Sequence, residues 1–368
     1  MSRVLVVTND FPTRRGGIES FVYALCERMP ADEVVVYTSS MPGDREHDAT
    51  LPFVVYRDPT RMLLPTPGVA RRVETVLRRH GCERVLFGAS APLGLLAPRL
   101  RRAGAQRIVA LTHGHEVWWS RVPVTRQLMR RIGDSVDVLT YVSEWCRRGI
   151  APALSARGRD RMRRLSPGVD LERFRPGVGG DAVRRRWGIA PDAPVVVCLA
   201  RMVRRKGQDR LLEAWPEVRR EHPDAVLLLV GDGPDRQRLE RLAVESGEQA
   251  SVVFTGSIPW DEVPAHMDAG DVFAMPCRTR RLGLEVEAWG IVFLEAQACG
   301  LPVVIGRSGG APETLLDGAA GAVVDAEESV AEALVGLLAK PPARAVPPSL
   351  SALGWDAVSG RLGELFRA

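Results

Sequence analysis

Short runs of β-branched and aliphatic residues alternate with runs whose apolar residues fall at helical spacing, and the alternation happens twice along the chain. In the first half, residues 4–8, 34–37, 54–56, 84–87, 108–112 and 138–142 read as strands, with helical stretches such as 20–29 and 69–79 between them. Successive strands joined through helices lie parallel, so helices cover both faces of the sheet and ligands sit at the strands' C-terminal ends. A Gly/Pro-rich segment, Arg175-Pro176-Gly177-Val178-Gly179-Gly180, interrupts the pattern and reads as a linker. Strands at 195–200, 226–231, 252–255, 272–275, 303–306 and 321–324 then restart it, with helices at 209–220 and 236–246. The expectation is an α/β protein of two Rossmann-like, doubly wound domains facing across a cleft. The domains are residues 1–175 and 176–345, and a Pro-rich connection leads to a terminal amphipathic helix within 346–368 that packs back on the first half.

At 368 residues the chain exceeds one ordinary domain, which agrees with that division. No apolar run approaches the roughly 20 residues of a membrane span, and the apolar stretch after Ser2 is too short for a signal-peptide core. A cytoplasmic location is therefore expected. Six cysteines with no C-x-x-C spacing argue against a zinc site or a disulfide framework. Residues 1–170 carry 27 arginines against 17 acidic residues, whereas the rest carries 23 basic and 28 acidic ones. The arginines at 126, 130, 131, 157, 159, 161, 163 and 164 read either as a face toward an anionic surface or as a solvated helix surface.

Four clusters carry chemistry. Gly16-Gly17 follows the first strand, where glycine makes either a tight turn or a close approach to a ligand. His113-Gly114-His115-Glu116 follows the strand at 108–112 and reads as a metal pair or as a single histidine holding a hydroxyl. Arg201-Met202-Val203-Arg204-Arg205-Lys206-Gly207 follows the first strand of the second half. The chain has 48 arginines and only two lysines, Lys206 and Lys340, so a lysine kept in this loop reads as a point charge for a phosphate, with chance retention as the alternative. Finally, Glu287 and Glu295 flank Gly290-Ile291-Val292 at the start of an apolar helix, whose first N–H groups suit an anion.

These residues, together with Gly231-Asp232-Gly233, resemble those of the retaining glycosyltransferases of family 4, which have the GT-B architecture; the resemblance covers nearly the whole chain. Asn9-Asp10-Phe11-Pro12, Leu64-Pro65-Thr66-Pro67, Thr112-His113-Gly114-His115-Glu116, 204–208 and 291–298 most resemble the actinobacterial GDP-mannose-dependent phosphatidylinositol mannoside mannosyltransferases. The resemblance implies that Arg201 and Lys206 neutralise the donor diphosphate without a metal cofactor. It implies that Glu287 and His113 hold the transferred sugar, and that the N–H groups of Gly290, Ile291 and Val292 meet sugar and phosphate. Glu295 is implied to accept from the ribose, Gly16 and Gly17 to approach the phosphate, and Gly231, Phe254 and Ile258 to line the nucleoside pocket. Asp10 and His115 are placed on the acceptor side. The expected partners are a nucleotide sugar, a lipid-linked acceptor and an anionic membrane surface at the inner face of the plasma membrane, with no nucleic acid. One departure is Arg280-Arg281-Leu282-Gly283, where the resembled enzymes have a glycine-rich loop. Three rival readings are a family transferase using a UDP-sugar on a soluble acceptor, a nucleotide-binding protein without catalysis, and a metal hydrolase built on His113, His115 and Glu116.

Overall fold

A computed structural model describes residues 3–14, 16–325 and 330–367. The chain divides into two compact units, Met1–Gly168 with Trp355–Ala368, and Val169–Gly354. The first is built on seven parallel strands: β1 (Arg3–Thr8), β2 (Val34–Ser39), β3 (Val54–Asp58), β4 (Cys82–Phe87), β5 (Arg107–Ala110), β6 (Val138–Tyr141) and β7 (Met162–Arg164), in the order β3-β2-β1-β4-β5-β6-β7. The second has six: β8 (Val195–Leu199), β9 (Val226–Val230), β10 (Val252–Gly256), β11 (Val272–Met275), β12 (Val303–Gly306) and β13 (Gly321–Val324), in the order β10-β9-β8-β11-β12-β13. Every residue of β2 and of β11 is buried, as parallel strands are when helices cover both faces of a sheet.

Both sheets reverse their strand order once, beside β1 in the first and beside β8 in the second. The loops after those strands, residues 9–14 with Gly16 and residues 200–207, therefore sit where open α/β sheets leave a crevice. Those loops contain Asp10, Gly16, Arg201 and Lys206.

β7 lies inside the arginine-rich run at 157–164, where charge hid it from a hydrophobic pattern. It pairs with β6 at the sheet edge, and Arg161 Nη1 donates to the Asp134 and Val136 carbonyls at 3.1 and 2.6 Å. Part of that run is thus structural. The Gly/Pro-rich segment is not a loose tether either: Gly177 and Gly180 N–H donate to the two carboxylate oxygens of Asp268 at 3.0 and 2.9 Å. A Cβ at Gly180 would lie 2.6 Å from the Asp268 carbonyl oxygen, so the segment is docked on the second unit.

The terminal helix, Trp355–Arg367, belongs to the first unit and buries Val358, Leu362 and Phe366. Trp355 lies 6.0 Å from the Phe21 ring and under the Arg28 guanidinium at 5.0 Å, and Arg107 Nε donates to the Leu365 carbonyl at 2.9 Å. All six cysteines are buried thiols.

Candidate functional site

In the second unit, the loop after β8 turns back through a short 3-10 segment, Arg204–Lys206, and ends at Gly207. Gly207 has φ 82°, and a Cβ there would stand 2.2 Å from the Pro276 carbonyl oxygen, so only glycine lets this loop pack against the exit of β11. The packing brings Lys206 Nζ and Arg205 Nη1 to the same oxygen of Glu287, Oε2, each at 2.7 Å. Glu287 is held from behind as well: its N–H donates to Ser308 Oγ at 3.1 Å, and its carbonyl accepts from Gly310 N at 3.0 Å. Burial by itself pushes the Glu287 carboxyl up, but the Lys206 ammonium and the Arg205 guanidinium outweigh it and hold the group below the usual carboxylate range.

Three residues after Glu287 the backbone turns at Gly290, with φ 89° and no room for a Cβ, which would lie 2.7 Å from Phe293 Cδ2. The helix Ile291–Ala298 starts there, so the first free N–H groups, those of Ile291 and Val292, follow the ion-paired Glu287 directly. Glu295, one turn inside the helix, is 5% exposed, and its carboxyl makes no hydrogen bond among the described residues. Burial pushes its carboxyl up to about 7, with only the charge of Arg173 opposing. The two glutamates thus differ in kind, one ionised by its partners and one driven toward its neutral form by burial.

Arg201 does not join the Glu287 cluster. It is exposed and lines a cavity of about 600 Å³ with Arg204, Arg205, Arg280, Arg281 and Glu285. Within it Arg280 and Arg281 share Glu285, at 3.0 and 3.1 Å, whereas Arg201 has no side-chain partner among the described residues. The loop at 280–283 takes a left-handed turn at Arg281, Leu282 and Gly283 (φ 50°, 55° and 91°), a conformation that L side chains rarely adopt, and leaves Leu282 96% exposed. Gly231, with φ 125°, packs where a Cβ would meet the Ala200 carbonyl oxygen at 2.5 Å, tying the Gly231 turn to the Arg201 loop. Phe254 lies half-buried in β10, opposite Leu229 of β9, and Ile258 follows just past that strand.

In the first unit, Gly16 and Gly17 open the helix Gly17–Glu27. Gly16 is extended, and a Cβ at Gly17 would meet nothing within 4 Å. Here the absent side chain leaves open space rather than relieving a clash. His113 Nε2 is 2.5 Å from the Gly88 carbonyl oxygen. A carbonyl only accepts, so Nε2 carries the hydrogen and Nδ1 is left as an acceptor. Burial lowers the His113 pKa, against the pull of Glu116, and the ring stands edge-on to Phe21 at 5.8 Å.

Glu116, fully buried, accepts from the His113 and Gly114 N–H groups at 3.0 and 3.2 Å and from Ser90 Oγ at 3.1 Å, with His115 Nε2 at 3.3 Å. These donors saturate the carboxylate as a cap of its own turn, which leaves the metal-hydrolase reading without its acid. Among the described residues no group of three or more His, Cys, Asp or Glu is placed to hold a metal ion. Asp10 is half-buried, and burial followed by the nearby Glu19 raises its pKa.

Some of the machinery carried no signal in the pattern. Arg205 reads as one more arginine in a basic run. Asp209 holds Arg278 through both carboxylate oxygens at 2.9 and 2.6 Å, which fixes the loop leading to Glu287. Ser308 and Gly309 reach the back of Glu287 from the loop after β12; a Cβ at Gly309 would lie 2.3 Å from the Glu287 carbonyl oxygen.

Residues 15–173 match the family model described as Glycosyltransferase Family 4, and residues 181–347 the model described as Glycosyl transferases group 1. The chain is 51% identical, over 92% of its length and 90% of the relative's, to the GDP-mannose-dependent alpha-(1-6)-phosphatidylinositol monomannoside mannosyltransferase of Mycolicibacterium smegmatis. It is 43% identical to the enzyme of Corynebacterium glutamicum that is described as acting on the monoacylated form of that lipid, over 93% of this chain and 90% of the relative. Among solved structures, Anabaena HepE in complex with UDP superposes with a TM-score of 0.80 over 99% of both chains at 18% identity, which speaks for the fold.

Proposed function

The chain belongs to glycosyltransferase family 4 and is a glycosyltransferase of two Rossmann-like units, and from that premise we propose that it moves mannose from GDP-mannose to a hydroxyl of a phosphatidylinositol mannoside. One observation carries the reading on the structural side. Lys206 and Arg205 converge on Glu287 at the mouth of the Ile291–Ala298 helix, beside a cavity rich in guanidinium groups.

That arrangement suits a sugar diphosphate. A departing nucleoside diphosphate gathers negative charge, and fixed cations in a shielded site stabilise it as it develops. In this reading Arg201 and Lys206 meet the diphosphate, with the N–H groups of Ile291 and Val292 completing the anion site. Glu287 accepts from hydroxyls of the mannose, and Glu295 accepts from the ribose once it has lost its proton. In the first unit, Gly17 gives the donor an unobstructed backbone, and His113 Nδ1 accepts from a sugar hydroxyl.

The acceptor hydroxyl attacks the face that the diphosphate leaves, so the anomeric configuration is retained and the diphosphate takes the acceptor's proton. The cations of the chain do the neutralising, and no metal enters the reaction. No helix among the described residues is long and apolar enough to cross a membrane, and the reading places the protein peripherally at the inner face, its arginine-rich N-terminal part against anionic lipid.

The experiment is a donor panel on the purified protein with a phosphatidylinositol mannoside in mixed micelles, and with the anomeric configuration of the product read by NMR. GDP-mannose is expected to be the donor turned over. Turnover of a UDP-sugar instead, or of GDP-mannose with inversion, would sink the respective part of the reading. Sedimentation with anionic vesicles at low and high salt tests the membrane contact, which salt is expected to weaken.

A further inference from the structure

Glu287 has two cations on a single oxygen, and the two are not equivalent. Arg205 is anchored: its Nη1 also lies 3.4 Å from the Val286 carbonyl, and its own carbonyl accepts from Arg278 N at 2.9 Å, in the loop that Asp209 holds. Lys206 is tied to Glu287 Oε2 alone among the described residues, through a flexible stem and an ammonium with two further N–H groups to give. The side chains of Glu287 and Lys206 are only 13% and 14% exposed, so neither charge is well solvated if left without a partner. A lone Lys206–Glu287 pair would face a conflict when a diphosphate arrives, because drawing the ammonium to phosphate strands a buried carboxylate.

We propose that Arg205 is a positioning residue, the resident counter-ion of Glu287, and that it lets Lys206 be handed from the carboxylate to the donor diphosphate on binding. The inference rests on the donor reading above and goes beyond it by assigning a role to Arg205, to which the resemblance gave none. Before the donor binds, Glu287 carries both cations. With donor bound, the guanidinium stays on Oε2 and keeps the carboxylate ionised and oriented toward the sugar, while the ammonium turns to phosphate. The cluster thus holds one cation more than its carboxylate needs, and the ligand supplies the second anion.

The test is a double-mutant cycle on GDP affinity, measured by calorimetry for the wild type, Arg205→Gln, Glu287→Gln and the double variant. Arg205→Gln is expected to weaken GDP binding about tenfold, because Lys206 can no longer leave, and to change it less than about twofold once Glu287→Gln has removed the carboxylate that needs a partner. Arg205→Lys, which keeps a cation at Oε2, is expected to restore most of the affinity.

Equal losses in both backgrounds would mean that Arg205 touches the phosphates itself, and no loss in either would make it a bystander; each overturns the hand-over. Lys206→Met provides a check that leaves Arg205 in place. Because Glu287 keeps its guanidinium, Tm is expected to shift by no more than about 2 °C while GDP binding falls at least about tenfold. A large fall in Tm would show Lys206 to be the structural partner and overturn the proposal. A wild-type protein that binds no GDP fails the donor reading and the hand-over together, whereas one that binds GDP without coupling between Arg205 and Glu287 fails the hand-over alone.

Discussion

The loop that carries Glu287 and the helix that carries Glu295 are eight residues apart and treat the same side chain in opposite ways. Glu287 is ringed by cations, and its carboxyl is held low; Glu295 is enclosed by the helix core, and its carboxyl is driven up to about 7. The difference teaches that spacing sets which carboxylates reach a site and surroundings set what each can do there. A group ionised in advance can orient a ligand, whereas one that must lose its proton on binding makes affinity depend on pH.

The sharpest way to break the comparison is to neutralise its ionised member. Glu287→Gln is expected to lower kcat roughly 100- to 1000-fold, in steady-state transfer assays, while the protein stays folded. A loss confined to KM would mean that Glu287 only helps to bind donor. Next in size is the glycine between the two glutamates. Gly290→Ala puts a Cβ 2.7 Å from Phe293 Cδ2 at φ 89°, and is expected to cost about 1–3 kcal/mol, read as a Tm several degrees lower. Gly17→Ala, which meets nothing within 4 Å, is expected to leave Tm unchanged while weakening donor turnover. That contrast separates a glycine kept for the fold from one kept for a ligand.

The pH dependence sharpens the other side. In the proposed donor site Glu295 accepts from ribose hydroxyls most strongly as the carboxylate, so GDP affinity is expected to rise by up to about tenfold from pH 6 to pH 8. Glu295→Gln should flatten that slope. For stability the signs are opposite at the two positions. The raised Glu295 stabilises in acid and loses that contribution as pH rises toward about 7. The depressed Glu287 stabilises above the ordinary carboxylate range and loses its contribution as pH falls below it. The smallest expected effect is that of a chelator. On the proposal that cations of the chain neutralise the diphosphate, EDTA should leave the transfer rate within about twofold, and a larger loss restored by a divalent ion would end the metal-free reading.

Much of the fold was legible because parallel strands buried on both faces read as unbroken apolar runs. All six strands of the second sheet stand where such runs are, and six of the seven in the first. The seventh, β7, has only Met162 buried and two exposed arginines, so hydrophobic pattern has no purchase on it. At the site, Lys206 stands out because lysine is rare here, and Glu287 and Glu295 because they bracket a glycine-led helix start. Arg205, Asp209 and Ser308 do not stand out, since each acts through a partner that the local sequence does not contain.

What the sequence determined by itself is local: the alternation of strand and helix, the glycines whose backbone no other residue fits, and the placing of charges on the loops that follow β1 and β8. Tertiary structure alone decided which charges meet, bringing Lys206 to Glu287 across 81 residues of chain and Asp209 to Arg278 across 69. The reason is physical. Periodicity and turn chemistry are properties of neighbours in sequence, whereas desolvation and Coulomb attraction depend on neighbours in space, so the same glutamate is held low at 287 and driven up at 295 by residues that no short window contains.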